Sequence, residues 1–145
     1  MIETVTTIDV KRPASDVFDY VADMSNNPEW QQGMKSCRWT TEPPIRVGSR
    51  YDQHASFMGR EITSKFEVTE YVAGERIRIV TYESTFALDI TRTVEAIDDA
   101  SCRVTAIVRG EQAGFFKVFG PLLNKMVSSS VRKDYRALRE ILETG

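Results

Sequence analysis

From residue 35 to residue 112, apolar side chains recur at every second position, in six runs parted by short turns. A period of two marks strands that turn one face to a core and the other to water. The runs span residues 36–41, 48–58, 61–71, 76–82, 86–96 and 101–110. Turn-forming residues stand between them: Pro43-Pro44, which cannot continue a ladder, then Gly59-Arg60, Ala73-Gly74 and Asp98-Asp99-Ala100. Connections this short join antiparallel neighbours. The chain is thereby predicted to form a meander whose apolar face must be covered by another element.

The cover can come only from the flanks. Residues 2–10 alternate β-branched and polar side chains and read as one more strand. Pro13 then opens a helix with Val17, Phe18, Val21 and Ala22 at helical spacing and Asp16 and Asp19 early. Residues 25–30 signal a second, shorter helix, with Asn27 as N-cap before Pro28. From Pro121 onward the chain reads as one long amphipathic helix. Leu123, Met126, Val127, Val131, Leu138 and Ile141 share its apolar face, opposite Lys125, Ser128, Arg132, Arg136, Arg139 and Glu143. This helix alone is long enough to cover the sheet. Ser130 and Asp134 interrupt its apolar face, at about 80° and 120° from Leu122 around the axis. A hydroxyl and a carboxylate there point to a cavity beneath the helix. The expected fold is α+β: a curved antiparallel seven-stranded sheet, in the order βααββββββα, wrapped around the C-terminal helix. All 145 residues form one domain on this reading.

Strand alternation assigns the inner face. Tyr51, Gln53, Ala55 and Phe57 face inward and His54 outward. Ile62, Ser64, Phe66 and Val68 follow on the next strand, then Ile77 and Ile79. Phe86, Leu88, Ile90, Arg92 and Val94 make the next row, and Cys102, Val104, Ala106 and Val108 the last. Arg92 is a charge in an apolar row, as Asp134 is on the helix. A lone buried charge is costly and is normally paired, yet Ser130, Val131, Ala137 and Leu138 give Asp134 no local base. Three readings stay open. Arg92 and Asp134, with Gln53, could form a polar cluster that orients a ligand. They could form a structural ion pair, or the register could expose Arg92. Trp30 either closes the cavity or, like Trp39, packs in the core or at its rim. Phe115, Phe116 and Phe119 read as a gate at the cavity mouth, as a membrane-touching or dimer patch, or as packing of the helix entry.

Composition bounds the partners. A net charge of −2 with scattered basic residues gives no footprint for nucleic acid. No apolar run approaches the length of a membrane span, so no stable insertion is expected. The N-terminus lacks a signal-peptide pattern, which predicts a cytoplasmic protein with Cys37 and Cys102 as buried thiols. One histidine and no spaced Cys/His set argue against a metal, and no cofactor is expected. No nucleophile motif stands out, so no catalytic residue is assigned. Asp134, Tyr51 or Tyr82 could do general acid–base work in a desolvated cavity.

The element order resembles the helix-grip fold of the START-like superfamily (SRPBCC, Bet v 1-like), nearest to its small bacterial polyketide cyclase/dehydrase-like proteins. The local matches are Thr6, Ile8 and Val10 leading into Arg12-Pro13-Ala14-Ser15-Asp16-Val17-Phe18-Asp19-Tyr20-Val21-Ala22-Asp23, then Asn27-Pro28-Glu29-Trp30. Val47-Gly48-Ser49-Arg50-Tyr51, Phe57-Met58-Gly59-Arg60 and Ala73-Gly74-Glu75-Arg76 complete them. The resemblance implies that a hydrophobic small molecule (a lipid, a polyketide or an aromatic metabolite) binds between sheet and helix. The lining expected from the two readings together is Trp30, Tyr51, Gln53, Phe57, Ser64, Phe66, Ile79 and Leu88. Ile90, Arg92, Val104, Phe116, Val127, Ser130 and Asp134 complete it. The alternatives are a metal-free enzyme of the cyclase/dehydrase type using that cavity, and an interaction module whose cavity is vestigial. Partners then reduce to the small molecule, with a homodimer left open.

Overall fold

Burial along the first strand alternates without a break over nine residues, as a half-buried ladder requires. The computed structural model describes residues 2–57, 59–111 and 120–144; the expectations for Met58 and for Phe115, Phe116 and Phe119 lie outside the described residues. The order is β1 (Ile2–Val10), α1 (Ala14–Ala22), a 3-10 helix (Met24–Glu29), β2 (Met34–Trp39) and β3 (Arg50–Phe57). Then follow β4 (Arg60–Val72), β5 (Arg76–Ser84), β6 (Leu88–Asp98), β7 (Ser101–Gly110) and α2 (Gly120–Thr144). The seven strands form one antiparallel sheet in the spatial order β1-β7-β6-β5-β4-β3-β2. β1 leaves the meander order and pairs with β7, from Ile2 opposite Gly110 to Val10 opposite Cys102. Register shifts in β2, β4 and β6 bend the sheet, which curls as a half-barrel around α2.

The inner rows follow the predicted parity. Tyr51, Gln53, Phe66, Val68, Ile77, Ile79, Arg92, Val94, Val104 and Ala106 are buried, and His54 is exposed. The outer face carries ion pairs in their place: Arg78 between Glu70 (2.8 Å) and Asp89 (2.7 Å), and Arg50 against Glu67 (2.8 Å). Tyr82 lies on that outer face under the Arg50 guanidinium, 4.2 Å from its ring centre, so it cannot serve the cavity. β6 starts at Leu88 instead of residue 86 because the Ser84 hydroxyl accepts the Phe86 N–H and donates to its carbonyl, holding a turn.

The helices pack at one end of the inner face. α1 buries Val17, Phe18, Val21 and Ala22 against β6 and β7. α2 runs along β1 and buries Tyr135, Leu138 and Leu142, each leucine contributing about 1.5–3 kcal/mol. The Arg12 guanidinium donates to the Leu142 carbonyl (2.8 Å), placing a cation where the helix ends with unpaired acceptors. The short second helix differs from expectation. Asp23 caps it, accepting the Ser25 N–H at 3.1 Å, whereas Asn27 lies inside it with a buried side chain. Cys37 and Cys102 are free and buried, and burial pushes the Cys37 thiol up to about 11. Among the described residues no helix is long and apolar enough to cross a membrane.

Candidate ligand-binding cavity

α1 and the C-terminal half of α2 fill only part of the space inside the curled sheet. Beside that core a cavity of about 190 Å³ remains between the sheet and α2. Its walls come from alternate residues of β3 to β7. Tyr51, Gln53, Ala55 and Phe57 line it from β3, and Leu88, Ile90 and Arg92 from β6. Ile62, Ile79 and Val108 add single positions from β4, β5 and β7. α2 supplies Val127, Ser130, Val131, Asp134 and Tyr135. The segment leading out of the 3-10 helix adds Gln31 and Gln32, and the start of β2 adds Met34.

Four expected residues stand elsewhere. Phe66 and Val104 point inward toward the packed end, and Ser64 is fully buried beside the cavity-lining Gln53 without lining the cavity itself. Ser64 bonds the Ser84 hydroxyl at 2.7 Å, and Phe66 lies stacked on Tyr51, ring centres 5.0 Å apart. Val104 pairs in register with Ile8 and Val94 in the core. Trp30 is core as well, its ring meeting Tyr135 edge-on at 4.8 Å. Strand parity gives the face a residue points to, not how far along the strand the helices pack. Phe116 lies outside the described residues.

Arg92 marks the border between core and cavity. It is 1% exposed, so the register that would have exposed it is excluded. Its Nε donates to the Tyr135 hydroxyl (3.0 Å), and its Nη1 to the Val21 carbonyl (2.8 Å) and Asn27 Oδ1 (3.1 Å). Met24 Sδ lies 3.3 Å from Nη1, and the guanidinium carbon sits 5.0 Å from the Trp30 ring centre. Among the described residues no carboxylate forms an ion pair with it. Of the three open readings, the structural ion pair with Asp134 is therefore absent among the described residues. Asp134 instead accepts the Gln32 backbone N–H at 3.1 Å, tying α2 to the segment after the 3-10 helix. Gln53 is engaged too, its Oε1 facing Cys37 Sγ at 3.7 Å.

Two buried polar atoms of lining residues, the Tyr51 hydroxyl and Gln31 Oε1, have no hydrogen-bond partner among the described residues. Burial holds the Tyr51 hydroxyl well above its ordinary pKa, with the Arg92 charge opposing, so it stays a neutral donor. Tyr135, Asn27 and Gln31 were not assigned to the site from sequence. Tyr135 had a signal, since it lies on the helical stripe of Leu138 and Leu142 and so sends its hydroxyl inward. Asn27 and Gln31 had none.

Burial pushes the Asp134 carboxyl from 3.8 up to about 6, against the pull of the Gln32 N–H. Between those values the folded protein binds a proton that the unfolded chain has lost, so this group lowers stability as pH rises through the window. Partial exposure reduces the effect to about 1 kcal/mol. Asp134→Asn should therefore match the wild type at pH 4 and exceed it by that amount at pH 7.5 in urea unfolding. An equal difference at both pH values would refute the assignment.

A curled sheet gripping a long helix, with an apolar cavity between them, defines a helix-grip cavity protein. The chain belongs to the family described as polyketide cyclase / dehydrase and lipid transport, whose model matches residues 1–144. Membership implies a cavity for a hydrophobic ligand. A START superfamily protein from Mycobacterium smegmatis superimposes with a TM-score of 0.83 at 15% identity, over 98% of this chain and 97% of that one. The protein TTHA0849 from Thermus thermophilus gives 0.81 at 18% identity, over 95% and 94%. The di-domain ARO/CYC BexL from the BE-7585A biosynthetic pathway gives 0.73 at 20% identity, over 97% of this chain and 46% of that one. At such identities the likeness is one of fold. Among curated proteins no sequence matches the chain.

Proposed function

We propose that this protein binds a hydrophobic small molecule of one or two rings in the cavity beneath α2. The observation that carries the reading is a cavity of about 190 Å³ whose walls are mostly apolar side chains of β3 to β7 and α2. An apolar cavity of roughly 150 Å³ takes up benzene, so the space suits a small aromatic better than a two-chain lipid. Native mass spectrometry of protein purified from its own host tests this. A bound species of low mass, displaced by excess toluene, is expected. A protein at its bare chain mass that also takes up no toluene would overturn the reading.

One observation favours a second reading, an enzyme of the cyclase/dehydrase type. Asp134 lines the cavity with a carboxyl near pKa 6, suited to move a proton at neutral pH. On that reading Asp134→Asn abolishes turnover of a bound substrate while leaving its affinity nearly unchanged. Unchanged turnover would remove the residue from the chemistry.

A further inference from the structure

The Arg92 guanidinium is a buried charge with neutral neighbours. Three oxygen acceptors and a thioether occupy Nε and Nη1, while Nη2 makes no hydrogen bond to the described residues. Moving a cation out of water costs several kcal/mol, and neutral acceptors repay only part of that. Burying a methionine or leucine at this point of an apolar row would have avoided the cost. The group also lines the cavity, and the wholly buried Tyr51 that lines it nearby carries a hydroxyl without a partner. A fixed cation and an unused donor share the wall of a mostly apolar space, whose other polar lining includes Ser130, Asp134 and the amides of Asn27, Gln31, Gln32 and Gln53. Their complement is an anionic oxygen on an apolar body.

We propose that the ligand of this cavity is a small organic acid, a carboxylate on one or two apolar rings, whose anionic oxygen rests against Arg92 with the Tyr51 hydroxyl as second donor. This rests on the cavity being the binding site. It narrows the ligand from any hydrophobic molecule to a monoanion. A carboxylate forms charge-assisted hydrogen bonds with a guanidinium, and the surrounding apolar wall strengthens the attraction. The same cation disfavours a plain hydrocarbon of equal size, which would leave the charge uncompensated. Among the described residues Asp134 and Asp23 are not bonded to Arg92, so the anion would not displace an existing partner. Tyr135, Asn27 and the Val21 carbonyl hold the guanidinium in place, so little reorganisation accompanies binding.

The test compares benzoate, benzamide and toluene by isothermal titration of the wild-type protein. These probes share ring size and differ in charge and polarity. Benzoate is expected to bind at least about tenfold more tightly than benzamide, as a hydrogen bond to a charged group implies. The nitrogen-15 signal of Arg92 Nε should shift on adding benzoate. Equal affinity for benzoate and benzamide would overturn the acid assignment while leaving a hydrophobic binder. Binding of none of the three would overturn the binding reading and the assignment together. Because Arg92 variants also lose structural bonds, Tyr51→Phe is the informative second variant, removing only a hydroxyl without a partner. It should weaken benzoate severalfold and leave toluene unchanged. Equal weakening of both, or of neither, would remove Tyr51 from the anion site.

Discussion

Tyr51→Ala is expected to cost the fold about 3–5 kcal/mol, the range for emptying a buried aromatic site. Tyr51 has no exposed surface. It stacks on Phe66 at 5.0 Å and meets Trp39 edge-on at 5.2 Å. Both ring contacts vanish, and the hole merges with the cavity. For a chain of this size the loss corresponds to a melting temperature lower by roughly 10–15 °C. Tyr51→Phe should behave in the opposite sense. It keeps the ring and removes a hydroxyl that no described residue satisfies, so stability should hold or rise by about 1 kcal/mol. Thermal melts of both variants check the pair. A phenylalanine variant that loses as much as the alanine one would mean that the hydroxyl has a partner after all.

Arg92→Ala is expected to lose about 3 kcal/mol, read as a lower urea midpoint at an unchanged slope. The Val21 carbonyl, Asn27 Oδ1 and the Tyr135 hydroxyl lose their common donor, which ties α1, the 3-10 helix and α2 to β6. Relief of a buried charge offsets part of that, because the side chain has no carboxylate partner among the described residues. Arg92→Met separates the two effects. It keeps the volume over Trp30 and should recover about half the loss, through packing alone. A midpoint unchanged in the alanine variant would show that the cross-brace contributes nothing net.

These residues also show what one sequence can and cannot say. The sequence placed Arg92 in one row with Ile90 and Val94 but left open a register that exposes it, and only its burial in the structure closes that question. Its partner was not legible either. The sequence offers one carboxylate on the opposing helix face, and charge matching selects Asp134. The actual acceptors are a backbone carbonyl at the end of α1, an amide in the 3-10 helix and a phenol on α2. No local pattern encodes the meeting of three such elements. Ser130 and Asp134 were legible as cavity residues because a polar group on an apolar helix face must be accommodated. Phe66 and Val104 were misplaced for the converse reason. An apolar residue on the right face looks the same whether a helix or an empty space lies above it.

The pairing of β1 with β7 has a consequence for how the chain folds. Glu3 and Arg109, joined across that ladder at 2.6 Å, lie 106 residues apart in sequence, whereas β6 and β7 are joined by a tight turn. Closing so long a loop costs roughly 3 kcal/mol more entropy than closing a hairpin, from about five doublings of loop length. The meander from β3 to β7 can therefore zip up from local contacts. The N-terminal strand has to wait for a search over nearly the whole chain. Since α2 rests on β1, the roof of the cavity waits with it. The ligand-binding space should thus be completed late, although its walls come from hairpins that form early.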